Sequence, residues 1–191
     1  MSKYSEDIES LQQYMRSIQK YQTLSYEDEQ ALAYRWVNEN DRRAAHKLVN
    51  AHLRLVVKVA LGFRGYGLPL GELIQEGNIG LMQAVVRFNP DKGFRLSTYA
   101  MWWIKASMQE YILHSWSMVK IGTTAAQKKL FFNLRKMRAK LMEMNDDNLS
   151  TESIDYIANN LGVKPEEVII MDQRLMGNDQ SLNAMISTDV G

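Results

Sequence analysis

Proline is rare in this chain, and each proline falls where a helix would have to begin or end. Only three occur in 191 residues, Pro69, Pro90 and Pro165. Between them Leu, Met, Ala, Gln, Glu and Lys abound, most of which have high helix propensity. Long stretches without a helix breaker, with apolar residues three and four positions apart, predict an all-α protein.

Apolar spacing and turn residues also predict where the helices lie. Helices are expected at 6–20, 26–39, 41–63, 70–88, 97–115 and 124–143. Residues 89–93, Asn-Pro-Asp-Lys-Gly, form a clear turn. Residues 150–168 have the pattern of a helix-turn-helix, with Pro165 in the first turn of the second helix. Residues from about 178 lack periodicity and are expected to begin a linker.

Composition argues against several classes of function. The chain has no cysteine, which excludes disulfide and thiolate chemistry and suits a reducing, cytoplasmic compartment. The three histidines lack metal-ligand spacing, so neither a metal nor another cofactor is expected. No segment resembles a membrane span or a signal peptide. No nucleophile–base arrangement or phosphate-binding loop is present, so the chain is not expected to be an enzyme.

Aromatic and basic residues converge in the segment 92–105. Tyr99, Trp102 and Trp103 have the i, i+3, i+4 spacing that puts three rings on one helix face. Ser97 is expected to be the N-cap of that helix. The nearby cations are Lys92, Arg95 and Lys105. Rings stack on unpaired bases and cations hold phosphates, so the pattern is typical of single-stranded nucleic-acid binding.

The same rings could instead belong to the core. A separate apolar stripe on this helix can face the core; it comprises Met101, Ile104, Met108, Tyr111 and Ile112. A helix with two apolar faces is either buried all round or keeps one face for a partner. Leu113 falls on the aromatic side and favours burial, so periodicity alone leaves both interpretations open.

The net charge of +1 conceals a segregation of charge. Residues 92–140 carry ten Lys and Arg against one acid, whereas residues 141–191 carry two against ten. A basic block beside an aromatic helix favours a polyanion such as nucleic acid. The helix-turn-helix is a poorer candidate, because phosphates would repel Glu166, Glu167 and Asp172. The basic helix 124–143 is therefore the better candidate for touching a duplex.

Helix 70–88 carries two glycines in its interior, Gly77 and Gly80, each costing about 1 kcal/mol relative to alanine. That cost suggests the close approach of another helix or of a partner. The face away from the predicted core mixes polar and apolar residues: Glu72, Gln75, Glu76, Ile79, Met82 and Gln83. A solvated face and an interface both remain open.

Two adjacent motifs resemble the core of a bacterial RNA polymerase sigma factor. They are Leu-Ile-Gln-Glu-Gly-Asn-Ile-Gly-Leu-Met at 73–82 and Phe-Arg-Leu-Ser-Thr-Tyr-Ala-Met-Trp-Trp-Ile-Lys at 94–105. Residues 127–135, Gln-Lys-Lys-Leu-Phe-Phe-Asn-Leu-Arg, further resemble the hallmark box of heat-shock sigma factors. The resemblance covers nearly the whole chain. It implies a compact helical promoter-melting domain at 1–117, a middle three-helix domain at 118–177 and the start of a linker at 178–191, with the family's C-terminal −35-reading domain absent.

The resemblance also implies partners and site residues. Core RNA polymerase, through the coiled coil of its β′ subunit, is expected to dock on Glu72, Gln75, Glu76, Asn78 and Met82. The −10 element of promoter DNA is expected to be melted and held by Phe88, Lys92, Phe94, Arg95, Ser97, Thr98, Tyr99, Trp102, Trp103, Lys105, Ala106 and Gln109. Upstream duplex is expected to contact Lys120, Thr124, Gln127 and Lys128. The family resemblance further implies control by chaperones and a regulatory protease.

Departures from the housekeeping members imply a different promoter preference. Leu96 replaces a ring, and Ala106 and Gln109 replace residues that read the first −10 base pair. Thr124 and Gln127 replace residues that read the extended −10 motif. The resemblance therefore implies a transcription initiation factor for heat-shock promoters. The alternatives are a helix-turn-helix regulator that binds duplex DNA without core polymerase, or another class of alternative sigma factor.

Overall fold

A computed structural model describes residues 3–115, 124–142 and 150–176. These residues form eight α-helices and two short 3-10 turns, and no strand occurs among them. The helices are α1 Lys3–Gln19, α2 Tyr26–Glu39, α3 Arg42–Leu61, α4 Leu70–Arg87, α5 Leu96–Ser115, α6 Ala125–Met142, α7 Thr151–Leu161 and α8 Pro165–Met176. The all-α prediction is confirmed.

Several helix ends follow local capping signals in the sequence. The side chains of Ser25, Asp41 and Ser150 accept hydrogen bonds from backbone N–H groups at the starts of α2, α3 and α7. Gly162 ends α7 with a positive φ of 66°, a conformation that favours glycine and makes the tight turn into α8. The helix-turn-helix pattern is therefore present at 151–176.

The chain divides into two compact units, residues 1–116 and residues 117–191. In the first unit α4 packs chiefly on α5 and α3, and α1 and α2 pack on α3. Its fully buried side chains include Leu48, Val56, Leu73, Leu81, Leu96, Ile104, Met108 and Ile112. In the second unit α6, α7 and α8 pack on one another.

The two interior glycines of α4, Gly77 and Gly80, lie where neighbouring helices pack closely on it. A Cβ added at Gly80 would lie 2.6 Å from the carbonyl oxygen of Trp103, and one added at Gly77 would meet side-chain atoms of Met108 and Val56. Contact between helix backbones at this distance leaves no room for a side chain. Of the two explanations open from sequence, close approach of another helix accounts for both glycines.

Gly80→Ala is expected to lower the free energy of unfolding of the first unit by about 1 to 2 kcal/mol. Overpacking costs about 1–3 kcal/mol, and a clash with backbone atoms such as the Trp103 carbonyl belongs to the upper part of that range, about 2–3 kcal/mol. The gain in helix propensity offsets about 1 kcal/mol of that cost. Urea unfolding followed by tryptophan fluorescence measures this, because all four tryptophans, Trp36, Trp102, Trp103 and Trp116, belong to this unit.

Gly71→Ala is the matched control, since an added Cβ there has no heavy atom within 4 Å. This substitution in the same helix should leave stability unchanged or raise it slightly. Equal unfolding midpoints for Gly80→Ala and the parent chain would contradict the close approach of α5.

The described part of the second unit, residues 124–142 and 150–176, is a three-helix bundle built around α6. Leu130, Phe131 and Leu134 of α6 are buried with Ile157 of α7 and Val168 of α8. The Lys129 ammonium donates to the Leu161 carbonyl at 3.0 Å, and Arg138 pairs with Asp172 at 2.6 Å. Two cations of the basic block therefore act within the bundle: Arg138 neutralises Asp172 on α8, and Lys129 caps the C-terminal end of α7. Spacing along a single helix does not reveal such contacts between helices.

Among the described residues, no helix combines the length and the hydropathy that crossing a lipid bilayer requires.

Candidate nucleic-acid interface

Helix α5 has one buried face and one partly exposed aromatic face. Its buried residues are Leu96, Ala100, Ile104, Met108, Ile112 and Leu113. On the other side the Trp102 ring is 75% exposed, although burying it would favour folding. An exposed tryptophan of this size favours a partner over a place in the core.

The three rings of the predicted aromatic face differ in how they are held. Tyr99 lies between two rings: its centroid is 6.0 Å from that of Phe88 and 6.2 Å from that of Trp103. Phe88 is buried, so it supports Tyr99 from within the unit. Trp102 and Phe94, which is 66% exposed, are the more accessible rings for an incoming base.

Arg87, which sequence analysis did not single out, lies against the aromatic face. Its guanidinium carbon is 4.7 Å from the centroid of the Trp103 ring, a cation–π geometry. Arg87 ends α4, whereas Trp103 lies on α5, so no helical spacing connects them. In the sequence, the only local indication of its role was that Arg87 lies at the end of the helix, just before the turn at 89–93.

The remaining predicted residues surround this face on the surface. Thr98, Lys105 and Ala106 of α5 are exposed, and Ser97 and Gln109 are half-buried. Lys92 is exposed in a 3-10 turn, Pro90–Lys92. The Tyr34 hydroxyl donates to Asp91 at 2.8 Å, which ties that turn to α2.

The prediction that Ser97 caps α5 is wrong. The helix begins one residue earlier, at Leu96, so Ser97 lies inside its first turn. The Leu96 N–H instead donates to Oε1 of Glu29 on α2, at 2.8 Å. The N-terminus of the aromatic helix is thus capped from another helix, 67 positions away in the sequence.

Glu29 is fully buried and gathers three positively polarised groups. Besides the Leu96 N–H, it accepts from Arg95 Nε at 3.1 Å and Arg95 Nη2 at 3.2 Å. The Nε2 atom of His52, on α3, lies 3.5 Å from its Oε2. Arg95, predicted to contact DNA, therefore has its guanidinium engaged by Glu29 and by the Leu24 carbonyl.

These contacts set the ionisation of Glu29. Burial by itself would raise the pKa of this carboxyl, but the hydrogen bonds from His52, the Leu96 amide and Arg95 stabilise the charged form more strongly. The pKa of Glu29 is consequently held below its ordinary value. From sequence, Glu29 was only one of three acids in the first turn of α2, favourable to the helix dipole.

The outer face of α4 carries the residues predicted to dock on core polymerase. Gln75 and Met82 are exposed, as are Ile79 and Val86, which follow the same stripe. The predicted residues Glu72 and Asn78 also serve the fold. Glu72 accepts a hydrogen bond from the Tyr111 hydroxyl, which raises the pKa of Tyr111, and the Asn78 amide donates to the Tyr14 hydroxyl.

The predicted duplex-contacting residues lie at the start of α6. Thr124 is its N-cap, because Oγ1 accepts from the Gln127 N–H at 3.2 Å, and Lys128 is exposed. Lys120 lies outside the described residues. In the helix-turn-helix, Glu167 accepts from the Lys164 N–H and Asp172 holds Arg138, so both acids support the bundle.

Within the described ranges, no group of three or more His, Asp or Glu side chains is placed to hold a metal ion.

Comparison with known proteins gives a consistent result. Residues 48–117 match the family described as Sigma-70 region 2. The chain is 58% identical over 179 residues to the RNA polymerase sigma factor RpoH of Caulobacter vibrioides, covering 94% of this chain and 61% of that protein. It is 56% identical over 182 residues to RpoH of Zymomonas mobilis, covering 95% and 60%. It is 48% identical over 181 residues to the RNA polymerase sigma-C factor of Myxococcus xanthus, covering 95% and 61%. The chain thus spans about 60% of the length of these relatives.

Proposed function

We propose that this chain, a member of the sigma-70 family of RNA polymerase sigma factors, directs core RNA polymerase to heat-shock promoters and starts the opening of their −10 element. The observation that carries this proposal is the exposed Trp102 on the outer face of α5, together with the exposed Phe94 just before that helix. The relatives named RpoH support the heat-shock class, and the chain would act in the cytoplasm with the polymerase.

The aromatic face acts by capturing unpaired bases. Stacking on an aromatic ring contributes about 1–3 kcal/mol per base, and extruding one base costs a few kcal/mol. The rings can therefore offset the capture of one or two bases. Opening about ten base pairs at about 1.4 kcal/mol per step requires far more, so core polymerase supplies the rest. Exposed Lys92 and Lys105 would hold the backbone of the captured strand.

The partner on the outer face of α4 is core polymerase, with the β′ coiled coil as the docking element. The exposed stripe of Ile79, Met82 and Val86 lies among polar side chains, a mixture typical of a protein interface. Gln75, on the same helix, is exposed and available to the partner. The proposal that chaperones and a regulatory protease control the chain rests only on its resemblance to heat-shock sigma factors.

The second unit contributes upstream duplex contacts in this proposal. Exposed Lys128 at the start of α6 supports that role. The acids of α8 would oppose entry of that helix into a DNA groove. This charge distribution disfavours the alternative of a helix-turn-helix regulator acting alone.

The proposal is tested with the chain, core polymerase of Caulobacter vibrioides and a heat-shock promoter, using the RpoH of that organism as positive control. Permanganate is expected to modify thymines of the −10 region only when both chain and core are present. Gln75→Ala with Glu76→Ala should reduce core binding in a pull-down by about tenfold, or 1.4 kcal/mol. Retardation of the duplex by the chain alone, with no opening in the presence of core, would instead establish the helix-turn-helix alternative.

A further inference from the structure

We propose that Glu29 is a positioning residue for the nucleic-acid interface: its carboxylate fixes the start of α5 and holds Arg95 away from DNA phosphates. Glu29 and Arg95 thereby set the affinity for single-stranded DNA without touching it. This inference rests on the function proposed above. It also reverses the role in direct DNA contact that the family resemblance implies for Arg95.

The first argument is the position of the carboxylate at a helix end. The first N–H groups of a helix lack intrahelical partners, and an anion placed there is bound by them and by the helix dipole. In α5 the Leu96 N–H is taken by Glu29 Oε1 at 2.8 Å. Because Phe94 and Tyr99 flank this point, the same contact sets where both rings lie.

The second argument is that Arg95 is already neutralised. Nε and Nη2 both donate to Glu29, and Nη2 also donates to the Leu24 carbonyl. The Arg95 guanidinium also lies 5.8 Å from the ring centroid of Tyr26. A fork-to-fork pair with a carboxylate fixes the direction of the guanidinium as well as its charge. Moving Arg95 to a phosphate would leave the buried Glu29 without its guanidinium partner.

The third argument is that Glu29 is itself held from a third helix. His52 Nδ1 lies 2.8 Å from the Leu48 carbonyl, and Nε2 faces Glu29. Both ring nitrogens of His52 thus face oxygen atoms, one from α3 itself and one from α2. The carboxylate therefore joins α2, α3 and the start of α5, and its position cannot change without moving one of them.

A double-mutant cycle tests the assignment. Glu29→Gln, Arg95→Gln and the double variant are assembled with core polymerase, and binding of a labelled single-stranded −10 non-template oligonucleotide is measured across salt concentrations. Each single variant is expected to weaken binding by about tenfold, equivalent to about 1.4 kcal/mol. The double variant should also lose about tenfold, since both residues act through one contact.

The salt dependence separates positioning from phosphate contact. Each phosphate contact with a single strand contributes a slope of about 0.7 in log K against log salt concentration. Arg95→Gln should leave the slope unchanged, whereas Lys92→Gln, at an exposed cation of the interface, should reduce it by about 0.7. A reduced slope for Arg95→Gln, or losses that multiply in the double variant, would overturn the inference.

Control variants distinguish an effect on DNA binding from an effect on folding. Glu27→Gln, an exposed acid of the same helix turn, should bind DNA as the parent chain does. Folding of each variant is checked by tryptophan fluorescence. If Glu29→Gln does not fold, the salt dependence of DNA binding by Arg95→Gln decides whether Arg95 contacts a phosphate. Failure of the parent chain to bind the oligonucleotide would overturn both the proposed function and this inference. Normal binding by Glu29→Gln, with binding lost in Trp102→Ala, would overturn this inference only.

Discussion

A chain carrying Trp102→Ala and Trp103→Ala is expected to bind core polymerase normally and to open promoters at least about thirtyfold less well. Two stacked bases at about 1–3 kcal/mol each correspond to a loss of about 2–6 kcal/mol in the melted complex. Every 1.4 kcal/mol is a factor of ten, so thirtyfold is the lower bound. Core binding should persist, because the proposed docking face is the outer stripe of α4.

The measurements are permanganate reactivity of the −10 thymines and a pull-down with core polymerase. Tyr156→Ala removes a ring that is 56% exposed on α7 and serves as the control for loss of an exposed aromatic. The single variants should differ. Trp102→Ala should affect opening with little change in stability, whereas Trp103→Ala also removes contacts with Tyr99 and Arg87. Normal opening by the double variant would refute base capture by this face.

Glu29→Gln is expected to lower the free energy of unfolding of the first unit by about 2 to 3 kcal/mol at pH 7. Breaking a buried ion pair costs about 3–5 kcal/mol, and the exposure of Arg95, at 42%, reduces that cost through solvent screening. His52, which is buried, loses the carboxylate that it faces. Tryptophan fluorescence in urea again reports on this unit.

The stabilisation by Glu29 should disappear in acid. Because its folded-state pKa lies below the unfolded value of about 4.3, the charged carboxylate contributes stability above that pH. The contribution is lost as the pH falls through the lower, folded-state pKa. The unfolding midpoints of Glu29→Gln and the parent chain should therefore differ at pH 7 and converge as the pH falls below about 4.3. A gap that stays constant with pH would show that the Glu29 charge contributes nothing.

Sequence periodicity predicted the helices well because many of the signals that start or end a helix lie within a few residues of that point. The start of α2 at Tyr26 and the turn at Gly162 each follow from side chains within four positions. The start of α5 is the exception. Its cap, Glu29, is 67 residues away, and no rule based on local spacing can find a partner at that distance.

The sequence indicated which residues could form the aromatic face, but not which contacts they make with one another. The spacing of Tyr99, Trp102 and Trp103 placed them on one face, yet burial now separates the exposed Trp102 from the half-buried Tyr99 and Trp103. Arg87 was missed because it reaches Trp103 from a different helix. The charge of Arg95 was visible in the sequence, but its buried partner Glu29 on another helix was not.

The sequence by itself determined that this chain is all-α, that its aromatic and basic residues share one region, and that its motifs resemble those of sigma factors. These properties depend on neighbours along the chain, through helix propensity, periodicity and residue order. Only the tertiary structure decided that α5 crosses α4 at Gly80, that Glu29 caps α5, and which rings remain exposed. Those outcomes depend on contacts between separate helices, which form only when the core packs and which local spacing does not encode.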